Sequence, residues 1–134
     1  MKKLQYSILA IILLAFVLYS GCGEEAPPRD EIPVIKAFLS DFTRAVSDRN
    51  AALIDSMIIA DAYKMGYHST RILEDVYKND TAFFAFGRKE FFYTKDKASI
   101  HCSIMADSTD PGRPVEITLV KKHKKWYLKR FDLQ

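Results

Sequence analysis

The sequence predicts an α+β fold, with N-terminal helices packed on a curved antiparallel sheet of about four strands. Three observations predict it. Between residues 31 and 77 apolar residues recur at three- and four-residue intervals, the spacing of helices with one buried face. From residue 89 to the C-terminus they alternate with polar ones, the period of half-buried strands. The two regimes follow one another without interleaving, an order that gives helices laid on a meander and not a parallel sheet.

The first helix is expected over Glu31–Val46. Ile35, Phe38, Leu39, Phe42, Ala45 and Val46 share one face, with Lys36, Ser40, Asp41 and Arg44 opposite. Asp30 can cap its start, and Pro33 is tolerated in a first turn. Ser47–Asn50 interrupts the pattern, and Asp48 or Asn50 can cap a shorter helix that buries Leu53, Ile54, Met57 and Ile58. Ala60–His68 has no clear period, and Gly66 marks a turn in it. A third helix is expected from Ser69 or Thr70, carrying Ile72, Leu73, Val76 and Tyr77.

The character changes after Asn79–Asp80. Lys89–Thr94 places Phe91 and Tyr93 on one face of a strand. In Lys97–Ala106, Ala98, Ile100, Cys102 and Ile104 face one way, and Ser99, His101 and Ser103 the other. Asp107–Pro114 is a loop by its Asp, Pro and Gly content, and Val115–Lys121 alternates again. Lys122–Lys125 forms a tight turn into a last strand, Lys125–Leu133. There Phe131 and Leu133 fall out of step with Trp126 and Leu128, and a bulge near Lys129–Arg130 would return all four to one side.

Residues 1–21 have the layout of an export signal. Lys2 and Lys3 precede an apolar run from Ile8 to Tyr19, then come Ser20, Gly21 and Cys22. The run is shorter than the roughly 20 apolar residues of a membrane-spanning helix. Ser20, Gly21 and Cys22 resemble the lipobox of bacterial lipoproteins, with Tyr19 where that family usually has an aliphatic residue. The resemblance implies that Cys22 is acylated with lipid chains such as palmitate, freed by cleavage, and left as a membrane anchor on the periplasmic side. Gly23 in place of Asp after the cysteine implies the outer membrane. Residues 22–30 are then a tether stiffened by Pro27–Pro28, and 31–134 one domain.

Two of the 20 basic side chains lie in the signal, leaving 18 against 17 acidic ones in the exported part. So small an excess gives no support to a general polyanion-binding role, and no nucleic-acid partner is expected. With Cys22 acylated, Cys102 has no partner for a disulfide, so stability must rest on packing.

The opening helix IKAFLSDFTRAVSDRN, the segment RILEDVYKND and the final hairpin VEITLVKKHKKWYLKRFDL resemble the nuclear transport factor 2-like (cystatin-like) fold, a helix across a cone-shaped sheet. That resemblance implies a pocket between helices and sheet. Tyr63, Tyr67, Phe84, Phe91, Tyr93 and His101 are its candidate lining, and the aromatic surplus around Phe83–Tyr93 favours binding over catalysis.

The ligand expected is a small apolar molecule, or else a partner protein of the envelope. Other readings are a pocket enzyme of the ketosteroid isomerase or dehydratase type and a purely structural lipoprotein. The enzyme would need a titratable pair, such as His101 with Asp61 or Asp75. No catalytic residue is assigned, since no spacing identifies an active site and nothing resembles a nucleophile elbow beside His68–Ser69. His68, His101 and His123 lack metal-ligand spacing, so neither metal nor cofactor is expected. Cys102 reads as a small buried hydrophobe. Lys121, Lys122, Lys124 and Lys125 form the one dense charge cluster, either a solvated turn or a contact for lipid or a partner.

Overall fold

The computed structural model describes residues 30–78 and 82–134; the expected signal and most of the expected tether, residues 1–29, lie outside them. Four helices precede four strands: α1 (Ile32–Ser47), α2 (Ala51–Met57), α3 (Ala60–Lys64), α4 (Ser69–Val76), β1 (Ala85–Tyr93), β2 (Lys97–Met105), β3 (Arg113–Lys122) and β4 (Lys125–Leu133). The strands form one antiparallel meander in chain order, β1-β2-β3-β4. This is the α+β arrangement expected from the sequence. No helix among the described residues is long and apolar enough to cross a membrane.

Helix α1 begins where the Asp30 carboxylate accepts the Ile32 N–H at 3.0 Å. Its stripe Ile35, Leu39, Phe42, Ala45 and Val46 is buried on the sheet. Phe42 lies 5.9 Å from Phe86 on β1 and 6.1 Å from Phe131 on β4, and those two rings are 6.0 Å apart. The triangle draws both edge strands towards one helix, which requires the sheet to curve. Because Phe42 is fully buried, Phe42→Ala is expected to cost about 3–5 kcal/mol.

The helix ends at Ser47, and Arg49, with a positive φ of 50°, turns the chain. Its guanidinium stacks 3.9 Å over the Tyr77 ring, and the Tyr77 hydroxyl donates to Val46 O at 2.8 Å. Asn50, and not Asp48, caps α2 by accepting from Leu53 N–H at 3.1 Å. Helix α2 is too short to bury a full face: Ile54 is buried, but Leu53 is 41% exposed, against expectation. The Asp55 carboxylate accepts the Ser69 N–H at 2.8 Å, which sets the start of α4.

In the sheet, Ala98, Ile100, Cys102 and Ile104 face the core as expected, beside Val115, Ile117 and Leu119 of β3. Opposite Thr118–Leu119, the β3–β4 register slips by one residue at Lys129. Trp126, Leu128 and Phe131 are consequently all buried, with Leu133 half-buried. A second irregularity, between Gly87 and Glu90, lets β1 start four residues before the expected Lys89. Arg88 takes a φ of 50° there.

Sheet edges invite pairing with other chains unless they are covered. The β4 edge is covered by Ile59, whose N–H donates to Leu128 O at 2.8 Å, and by the Tyr67 hydroxyl, which donates to Phe131 O and accepts from Phe131 N–H.

Candidate functional site

The most site-like feature comes from two segments distant in the chain, residues 58–64 and 122–127. After α2 the backbone at Ile58 and Ile59 is extended, and Ile58 makes a parallel bridge to Leu128 on β4. This holds the link and helix α3 alongside the β3–β4 hairpin. Between them lies an open groove of about 490 Å³, floored by Ile58, Ile59 and Ala60, walled by Tyr63 and Tyr127, and rimmed by Lys122 and His123. On the other side of Tyr127, Phe38, Leu53, Met57 and Trp126 line a second groove of about 380 Å³. Both are open grooves of small-molecule size, mainly apolar in their exposed lining and edged by charged side chains, Asp55, Lys64 and Lys122 at the first and Asp41, Arg44 and Lys125 at the second. The partly exposed Leu53 and Tyr63 are accounted for as groove walls.

The hairpin that frames the groove is a two-residue turn. Lys122 pairs with Lys125, and His123 and Lys124 take φ of 52° and 65°. Such turns favour Asn-Gly; two ordinary side chains there are strained. The strands behind the turn are clamped from α1. The Glu31 carboxylate accepts from Lys121 Nζ at 2.5 Å and from the Trp126 indole N–H at 2.9 Å. Lys125 lies 5.4 Å over the Tyr127 ring.

The residues singled out from the sequence take separate places. Tyr63 lines the first groove, its ring 4.2 Å from that of His68 and tilted by 34° against it. Tyr67 is tied to the Phe131 backbone, and burial pushes its hydroxyl pKa up to about 12. Phe84 is 56% exposed, with its N–H bonded to Met105 O. Phe91 lines a more polar groove of about 620 Å³ between α1 and the β1 bulge, beside Lys36 and Lys89. The Tyr93 hydroxyl donates to Asp30 at 3.3 Å.

His101 is on the outer face of the sheet, 5.1 Å from Phe92. Its Nε2 is 3.9 Å from Glu116, a carboxylate that also accepts from Ser99 at 3.0 Å. The carboxylate beside His101 is thus Glu116 of β3, and neither Asp61 nor Asp75. The six candidates therefore do not line one common pocket among the described residues. Cys102 is buried and free, and burial raises its thiol pKa to about 12. Among the described residues no three His, Cys, Asp or Glu side chains lie close enough together to hold a metal ion.

Sequence reasoning missed Ile59 and the groove it builds. The only local signal was the loss of periodicity after Ile58, and the pairing with Leu128 is tertiary. No protein-family model matches the chain, and no curated protein is significantly similar to it.

Proposed function

We propose that this chain is a lipid-anchored domain of the cell envelope that holds a small apolar ligand in the groove beside Tyr127. The observation that carries the ligand is the apolar groove itself, with Ile58, Ile59 and Ala60 as floor and tyrosines as walls. The anchor rests on the charged start, apolar run and Ser20-Gly21-Cys22 of the sequence, and Gly23 favours the outer membrane. We assign the domain to the nuclear transport factor 2-like, cystatin-like class. In support, α1 lies across a curved meander after a helices-first chain order.

Binding without conversion is the simpler reading of the groove. The carboxylate on its wall, Asp55, already accepts the Ser69 N–H, and His101 is beside Glu116, neither of them a lining residue of the groove. Native mass spectrometry of the chain extracted from its own cells tests the proposal. A retained small apolar molecule, lost in an Ile59→Asp variant that still folds, is the expected result. A ligand-free mass from well-folded wild-type chain would overturn it.

A further inference from the structure

Three parts of the chain meet at one end of the domain. Glu31, with only 8% of its side chain exposed, bonds Lys121 and Trp126 and so joins the start of α1 to the β3–β4 hairpin. Asp30 accepts from Tyr93 at the end of β1, and Lys121 N–H donates to Asp96 O at 2.8 Å in the β1–β2 turn. The point where the described chain starts, residue 30, is thus fixed beside both turns.

That end is basic. Lys95, Lys97, Lys122, Lys124 and Lys125 are exposed there, against two exposed carboxylates, Asp30 and Asp96. Lys121 is engaged with Glu31 and adds no free charge. The other end of the same strands carries the Asp107–Gly112 loop, where Asp107 accepts from the Thr109 hydroxyl and N–H and Asp110 from the Ala106 and Gly112 N–H groups, bonds that hold both carboxyls below their ordinary range. The two ends of the strands therefore differ in charge, with five exposed lysines against two carboxylates at one and Asp107 and Asp110 beside Arg113 at the other.

We infer that the lysine end is a membrane-docking face, lying against anionic headgroups of the bilayer that holds Cys22. The inference rests on the lipid anchor proposed above. From Cys22 to Asp30 the chain reaches at most about 28 Å. A domain of roughly 100 residues is about 33 Å across by its expected radius of gyration. A leash shorter than the body keeps the end that bears residue 30 at the surface, and each lysine there favours the docked state about fivefold. In that orientation the groove rimmed by Lys122 and His123 sits at the bilayer, the source of apolar ligands.

The test uses the full chain with Cys22 intact, carrying a fluorophore on His123→Cys or, at the far end, on Thr109→Cys. It is reconstituted in phosphatidylcholine vesicles with or without phosphatidylglycerol and with quencher-labelled headgroups. Docking predicts quenching at position 123 that needs phosphatidylglycerol, disappears at high salt, and is absent at position 109. The triple variant Lys122→Gln, Lys124→Gln, Lys125→Gln should lower the docked-to-free ratio about a hundredfold. Equal quenching at both positions, or none at 123, overturns the docking. Intact mass of the same sample reports the anchor separately. An acylated chain with an unquenched label leaves the anchor standing and removes the docking; an unacylated chain removes both.

Discussion

Replacing Tyr67 with phenylalanine removes one oxygen from the seam that closes the β4 edge. The hydroxyl donates to Phe131 O at 3.1 Å and accepts from Phe131 N–H at 2.8 Å. Phenylalanine fills the same space, so no cavity forms and the cost falls on the two backbone groups left behind. A buried N–H without an acceptor costs about 1–3 kcal/mol. Tyr67 is half-buried, so some water reaches the site, and the expected loss is about 2 kcal/mol, or about 10 °C in Tm for a domain of roughly 100 residues. Urea unfolding followed through Trp126, the single and buried tryptophan, measures it. Tyr77→Phe is the control: its hydroxyl donates once, to Val46 O, and its loss should cost about 1 kcal/mol. A Tyr67→Phe loss below about 0.5 kcal/mol, or no larger than the control's, would refute the seam.

In the β3–β4 turn, His123→Asn with Lys124→Gly should raise stability by about 1–2 kcal/mol in the same unfolding assay, because both positions have positive φ. Gly112→Ala should lower it by about 2 kcal/mol or more, since φ is 83° and a Cβ there would stand 2.7 Å from Ser103 Cβ and 2.9 Å from Ile104 O. Glu31→Ala should cost about 2–3 kcal/mol, less than a fully buried pair because Lys121 is 22% exposed, and a double-mutant cycle with Lys121→Met should show the coupling. Stability should hold up to pH 9 and fall between pH 9 and 12. The unfolded chain releases the Cys102 and Tyr67 protons near their ordinary pKa values, 9.0 and 10.0, while the folded chain keeps them to about 12. Alkylation of Cys102 should accordingly be slow at pH 8 until urea is added.

What the sequence disclosed followed from local periodicity. The alternation of Ala98, Ile100, Cys102 and Ile104 located β2 because one sheet face is buried and the other, apart from Ser103 beside Gly112, is not. The out-of-step Phe131 pointed to the bulge at Lys129 for the same reason. Helix α3 escaped notice because it has five residues and buries none of them fully, so it leaves no stripe. The β1 bulge escaped because Arg88 has no side-chain signature of a positive φ. Tyrosines that looked like pocket groups, Tyr67 above all, serve to satisfy backbone atoms of other elements, and a sequence does not say which. The groove beside Tyr127 depends on Ile59 meeting Leu128, a pairing with no local pattern.

Whether residue 22 begins a lipid-anchored chain is decided by the intact mass of the protein recovered from the membranes of its own cells. The expected species starts at Cys22 and exceeds the Cys22–Gln134 polypeptide by a diacylglyceryl group and a fatty acyl chain. A mass that still includes Lys2 and Lys3, or a Cys22 that bears no lipid, would contradict it.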